Sequence, residues 1–465
     1  MTLLVVLLIL LTSTVSSFIV RQSVQHDAFE RQRLVEGRRF RSELSATSTT
    51  SSDDQNNNNR RWLDQGLLLS SFTDGLKNNE QTQDWMLNAV VNALWMEEQV
   101  ITQQQLRSSV VVSPCNGPDP NLLTQLENVD NAVSGRDDSS SSSSSWKSSW
   151  KMLCEIKQNR ILSTLSTDES PPEVEIRVVF IPTASYALRS DSTATPGKQR
   201  QRARADGKKR RNEMVQLLQQ GFENADNNLD SNQRPNISVR AVTLDLDDGS
   251  IKQPEASSSS SSAPGSPVPS FPSSGEEAIG SWAPHLIYVQ GGNTFWLYHC
   301  MEKGDWKNKI IDACSTTETE QINRNDETTN ADESSNSERF SAVYCGVSAG
   351  AIVVGQSMQT ACWKEWDDPS VVPGRETYND WRDIRGLDLV GDTSFFPHMD
   401  DRWKSLVEKR RKELPFNLRD DDDDDQSICE SNADFDVCCL TDFDVCTVNG
   451  KERSMNVVSN ILSLL

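Results

Sequence analysis

Four short apolar runs set the folding problem for this chain: VEIRVVFI (174–181), ISVRAVTLDL (237–246), PHLIYV (284–289) and FSAVYCGV (340–347). They are rich in β-branched and aromatic residues, so each reads as a buried strand. Between and around them lie stretches with apolar residues at helical spacing. KKRRNEMVQLLQQGFENA (208–225) is the clearest, and 83–100 and 149–164 are two more. Strands that alternate with helices build βαβ units. The expected architecture is therefore an α/β layer fold, with a mainly parallel sheet and helices on both faces. Upstream, SSVVVSPCNGPDPNLLTQL (108–126) reads as strand, turn and helix, with Asn116, Gly117 and Pro118 at the turn.

The chain has 465 residues, yet only 35% are hydrophobic. Runs of Ser, Asn and Asp account for the deficit, and low-complexity stretches fall between the predicted elements near 135–148, 190–207, 249–275 and 315–338. They read as surface insertions in one α/β domain over 107–465, preceded by a helical extension over 61–106. LLVVLLILL (3–11) is too short to span a bilayer and precedes small residues at Val15 and Ser17, which is a signal-peptide pattern for 1–17. The Ser/Arg-rich residues 18–60 read as a disordered leader that resembles the second half of a two-part plastid leader, with plain secretion as the alternative. No integral membrane segment is expected after signal cleavage.

A formal net charge of −22 argues against a nucleic-acid partner, because phosphate binding needs a basic face. The one basic run, KQRQRARADGKKRR (198–211), reads as a solvated loop leading into a helix. The ten cysteines include no C-x-x-C pair, so neither a disulfide framework nor a zinc or other metal site is expected, and no cofactor.

In parallel sheets, functional groups collect where strands end and helices begin. At that place stands YCGVSAGAIVVG (344–355), with Ser348 inside G-x-S-x-G. A serine on a sharp strand-to-helix turn exposes its hydroxyl, and small neighbours relieve the crowding. Ser348 is thus a candidate nucleophile, and the N–H of Ala349 a candidate donor to an oxyanion. A serine nucleophile needs a base. Of the four histidines, His26 lies in the leader, His285 begins a strand and His299 lies within a helix. His398, at the end of the strand-like TSFFP, sits where a base belongs. WKEWDDPS (363–370) supplies Glu365, Asp367 and Asp368 as candidate third members.

GVSAGA, YVQGGNTFWL, WDDP and FFPH, in this order, together with FIPTASYA (180–187) and GLDLV (386–390), resemble peptidase family S51, the dipeptidase E-like serine peptidases. The likeness spans about residues 107–465. It implies a flavodoxin-like α/β fold related to class I glutamine amidotransferases, and a Ser-His-Asp triad without a metal. Ser348 then matches the nucleophile, His398 the base and Asp367 the acid, while Gly292 joins Ala349 in the oxyanion hole. The implied partner is a short peptide substrate, best known as a dipeptide with an N-terminal Asp. A related branch cleaves aspartyl–arginine bonds in cyanophycin. Arg375, Arg382 and Arg385 are the candidate substrate-binding cations. The competing expectations are an α/β-hydrolase-type esterase, which shares G-x-S-x-G, and a non-catalytic binding protein.

Overall fold

The alternation of apolar runs folds as an eight-stranded sheet. A computed structural model describes residues 61–112, 144–164, 173–189, 192–226, 234–253, 271–315, 340–373, 385–413 and 436–459, all within the unit Arg60–Asn460. The large sheet contains β1 (Gln65–Leu69), β2 (Glu173–Ile181), β3 (Asn236–Leu244), β4 (Ile251–Lys252), β5 (Leu286–Val289), β6 (Val343–Val347), β9 (Asp444–Asn449) and β10 (Ser454–Ser459). A separate pair is formed by β7 (Thr393–Phe396) and β8 (Asp436–Cys439). The sheet order is β10-β9-β1-β6-β5-β2-β3-β4. Strands β1, β6, β5, β2 and β3 run parallel, β9 and β10 add an antiparallel ribbon at one edge, and β4 closes the other. The chain is thus an α/β protein with a mostly parallel sheet.

Side chains alternate across each strand, so the sheet feeds two cores. Leu67, Leu69, Val178 and Phe180 belong to one, together with Trp95 from helix α1 (Glu80–Val112), Trp150 from α2 (Ser144–Thr164) and Phe222 from α3 (Pro196–Asp226). Leu68, Val179 and Ile181 belong to the other. That core is covered by the short α4 (Gly275–Ile279), by α5 (Thr294–Lys303) and α6 (Trp306–Cys314), and by the short α7 (Ala349–Ile352). Two smaller helices, α8 (Gln359–Trp363) and α9 (Lys404–Glu413), flank the β7–β8 pair, where Trp363, Phe396, Val407 and Val437 form a third cluster.

Three expectations are corrected. Residues 61–106 are not an appended helical extension, because Gln65–Leu69 is a strand between β6 and β9, hydrogen-bonded to both. Residues 108–112, expected as a strand, form the last turns of α1. That helix is capped at its start, where Asn79 Oδ1 accepts from Thr82 N–H at 3.1 Å. Once nucleated, a helix gains one bond for each residue added, which overrides the β preference of three valines. Most of the stretch 190–207, expected as an insertion, is the start of α3, with Pro196 at its first position, where the missing N–H costs nothing. The leader, the turn at Asn116-Gly117-Pro118 and most of the insertions near 135–148, 249–275 and 315–338 lie outside the described residues.

Because β1 supplies one bonding edge to β6 and the other to β9, a chain starting at residue 107 should lack a cooperative urea transition, whereas one starting at residue 61 should show one. Equal cooperativity of the two would show that β1 is dispensable.

Candidate functional site

The chain leaves each strand of interest at its carboxyl end toward one cleft. Ser348 follows β6, Gly291 and Gly292 follow β5, Ser70 follows β1, His398 lies two residues after β7, and Asp442 three residues after β8. This is where an open parallel sheet places ligands.

Ser348 is held at φ 50°, ψ −106°, a region that non-glycine residues rarely enter. Such strain costs about 1–3 kcal/mol and persists only where neighbours over-determine it. Here Ser348 N–H donates to Leu69 O at 2.7 Å, and Ser348 O accepts from Ala351 N–H at 2.9 Å and Ile352 N–H at 3.0 Å. Three bonds at about 0.5–1.5 kcal/mol each are enough to offset it. The glycine at 350 is a matter of space: a Cβ there would stand 2.5 Å from Val289 O. Gly292, at φ +152°, lies so close to the β2 turn that a Cβ would stand 2.4 Å from Ala184 O. Its neighbour Gly291 presses directly on the serine, since a Cβ there would lie 2.9 Å from Ser348 Cβ. Asn293 caps α5, accepting from Trp296 N–H at 2.9 Å.

His398 Nε2 stands 3.1 Å from Ser348 Oγ, and its Nδ1 stands 2.5 Å from Asp442 Oδ1. The hydrogen bond from His398 is the main cause holding the Asp442 carboxyl below its ordinary range. An ionised Asp442 can only accept, so Nδ1 carries the proton and Nε2 is left to accept from the serine hydroxyl. Asp442 therefore occupies the position expected for Asp367. The Asp367 carboxylate instead accepts from Thr294 N–H at 3.0 Å, at the amino end of α5. Burial pushes its pKa up. Asp368 accepts from Ser370 N–H at 2.8 Å in a local turn, and Glu365 is exposed.

The other two described histidines, His285 and His299, pack elsewhere. His285 is fully buried, its Nδ1 accepting from Arg177 N–H at 3.0 Å and its Nε2 facing Glu97 at 3.1 Å. Burial is the main cause lowering its pKa. His299 packs beside Trp296, and His26 lies outside the described residues.

Ser348 and His398 share a cleft with Thr360, Lys364, Trp366 and Asp367. Among the described residues, the cation on its wall is Lys364, whose ammonium donates to Pro397 O and, at 2.7 Å, to His398 O. Burial lowers its pKa to about 8. Arg385 lies apart from this lining, in an isolated bridge with Ser357, and Arg375 and Arg382 are outside the described residues. Two site residues carry no local sequence signal. Asp442 is one. The other is Ser70, buried at 1% exposure, whose Oγ accepts from His398 N–H at 2.9 Å and donates to Leu440 O at 2.8 Å.

No family model matches the chain, and no curated protein matches it. Among solved structures, it is similar to a candidate peptidase E protein from Listeria monocytogenes EGD-e, at 15% identity over 65% of this chain and 92% of that one, with a TM-score of 0.29. So distant a likeness carries no weight beside the geometry of the cleft.

The Asp442 pairing sets a pH dependence. A carboxyl depressed below its ordinary 3.8 contributes stability that is present above that value and lost as pH falls through the lower folded value. The stability of the native chain over Asp442→Asn, measured by urea unfolding at a series of pH values, should therefore be constant in mild acid and shrink below about pH 4. A difference that stays flat through that window would contradict the pairing.

Proposed function

We propose that this chain is a serine peptidase of short peptides, using Ser348 as nucleophile, His398 as general base and Asp442 as the orienting acid. The observation that carries the reading is the continuous line from Asp442 Oδ1 through both imidazole nitrogens to Ser348 Oγ, with contacts of 2.5 and 3.1 Å. Each contact is at hydrogen-bond reach, and the nucleophile stands on a strained turn at a strand's end. On this reading the fold is of the flavodoxin-like, class I glutamine amidotransferase-like kind, and the chain is a member of the S51 group that its motifs resemble.

In the proposed reaction, Ser348 Oγ attacks the scissile carbonyl carbon while its proton passes to His398 Nε2. Asp442 stabilises the imidazolium that forms. The N–H groups of Ala349 and Gly292 receive the developing oxyanion. Breaking the C–N bond sends the proton from Nε2 to the leaving amine, and water then releases the acyl group by the same base. Asp367, a half-enclosed carboxylate on the same cleft wall, suits the α-ammonium of a peptide's first residue. That favours short peptides with a free amino terminus, and N-terminal Asp is the residue the motifs imply.

The test is turnover of a dipeptide panel that includes Asp-Leu. Ser348→Ala should abolish hydrolysis, and Asp442→Asn should lower kcat on the order of 10⁴-fold. Asp367→Asn should act mainly on KM. Retained turnover in Ser348→Ala, or an uncrippled Asp442→Asn beside a crippled Asp367→Asn, would refute the assignment.

A further inference from the structure

Trp366 is the most exposed large apolar side chain among the described residues, at 58%, and it lies on the wall of the cleft that holds Ser348. Its ring centroid is 5.8 Å from that of His398. It is braced on two sides. The edge-to-face contact with Trp403 has centroids 5.7 Å apart, and the Lys364 ammonium sits 4.6 Å from the ring centre. An indole fixed in this way but left open to solvent lacks the cover that would repay its hydration.

The chemistry says what passes over it. When the C–N bond breaks, the proton on His398 Nε2 goes to the leaving nitrogen, so that nitrogen must come within about 3 Å of Nε2. The side chain of the released residue begins two bonds further on, about 2.5 Å beyond the nitrogen. It therefore falls beside the imidazole, at the distance where Trp366 stands. The enclosed part of the cleft is small, about 40 Å³, and Trp366 stands at its solvent-open rim, where a released side chain can lie.

We propose that Trp366 is the floor of the leaving-residue subsite, so that the peptidase prefers substrates whose released residue is apolar or aromatic. This rests on the Ser348–His398–Asp442 reading. Stacking of a flat or branched apolar side chain on the indole gives a preference that a glycine cannot share.

The experiment measures kcat/KM for dipeptides that share an N-terminal residue and end in Gly, Leu or Phe. In the native chain, Leu and Phe should exceed Gly by about tenfold, the scale of one small apolar contact. Trp366→Ala should bring that ratio close to one, and Trp366→Phe should keep most of it. A native chain without the preference, or a Trp366→Ala variant that keeps it, overturns the subsite while the triad stands. If no dipeptide is cleaved, or Ser348→Ala cleaves equally well, the triad reading fails and takes the subsite with it. Should Trp366→Ala not fold, inhibition of the native chain by free Phe, Leu and Gly reads the same site. Stronger inhibition by Phe and Leu supports it, and equal inhibition overturns it.

Discussion

Two consecutive residues at the end of β1 hold the site together. Leu69 O receives the backbone N–H of Ser348, and the Ser70 hydroxyl receives the N–H of His398 while donating to Leu440 O. Leu440 O also accepts from Met399 N–H, and Leu440 N–H donates to Phe396 O. The proposed nucleophile, base and acid come from three places far apart in the chain; the first two are bonded directly to one strand end, and the acid follows Leu440, which is bonded to it as well. Ser70 is fully engaged in a buried setting, so losing its oxygen would leave the His398 N–H unpaired, while Leu440 O would keep its bond from Met399 N–H. That is the costlier side of hydrogen-bond energetics.

A second brace acts from below. His398 sits at φ 54°, again a strained value, and Lys364 holds that turn by donating to the carbonyls of Pro397 and His398. The ammonium is enclosed by the rings of Phe396, Trp366 and Trp403 at 4.1, 4.6 and 5.4 Å. Enclosure is what lowers its pKa, and the rings return part of that cost through their negative faces. One lysine thus supports the base and orients the open indole beside it.

What could be read from the sequence was local. The strands β2, β3, β5 and β6 are continuous apolar runs, and the G-x-S-x-G turn announces itself because Gly350 must meet Val289 O closely. His398 was legible as a histidine at the end of an apolar strand. Asp442 was not. It is one of 68 acidic residues, and nothing near it in LTDFDVC sets it apart. It meets His398, 44 residues away in sequence, because β7 and β8 pair in parallel. Asp367 drew attention by its place before Asp-Pro, but its carboxylate answers the unpaired N–H of Thr294 at the start of α5. The β1 strand, only five residues of QGLLL, was hidden because both of its neighbours, β6 and β9, come from the far end of the chain.

On the proposed reading, this geometry activates the Ser348 hydroxyl. The most direct measurement is reaction of the native chain with a fluorophosphonate, followed by digestion and mass-spectrometric mapping of the adduct. A single modification is expected, on Ser348 within the peptide containing YCGVSAGAIVVG. An unmodified Ser348 under conditions that label other serine hydrolases, or an adduct placed on another residue, would contradict it.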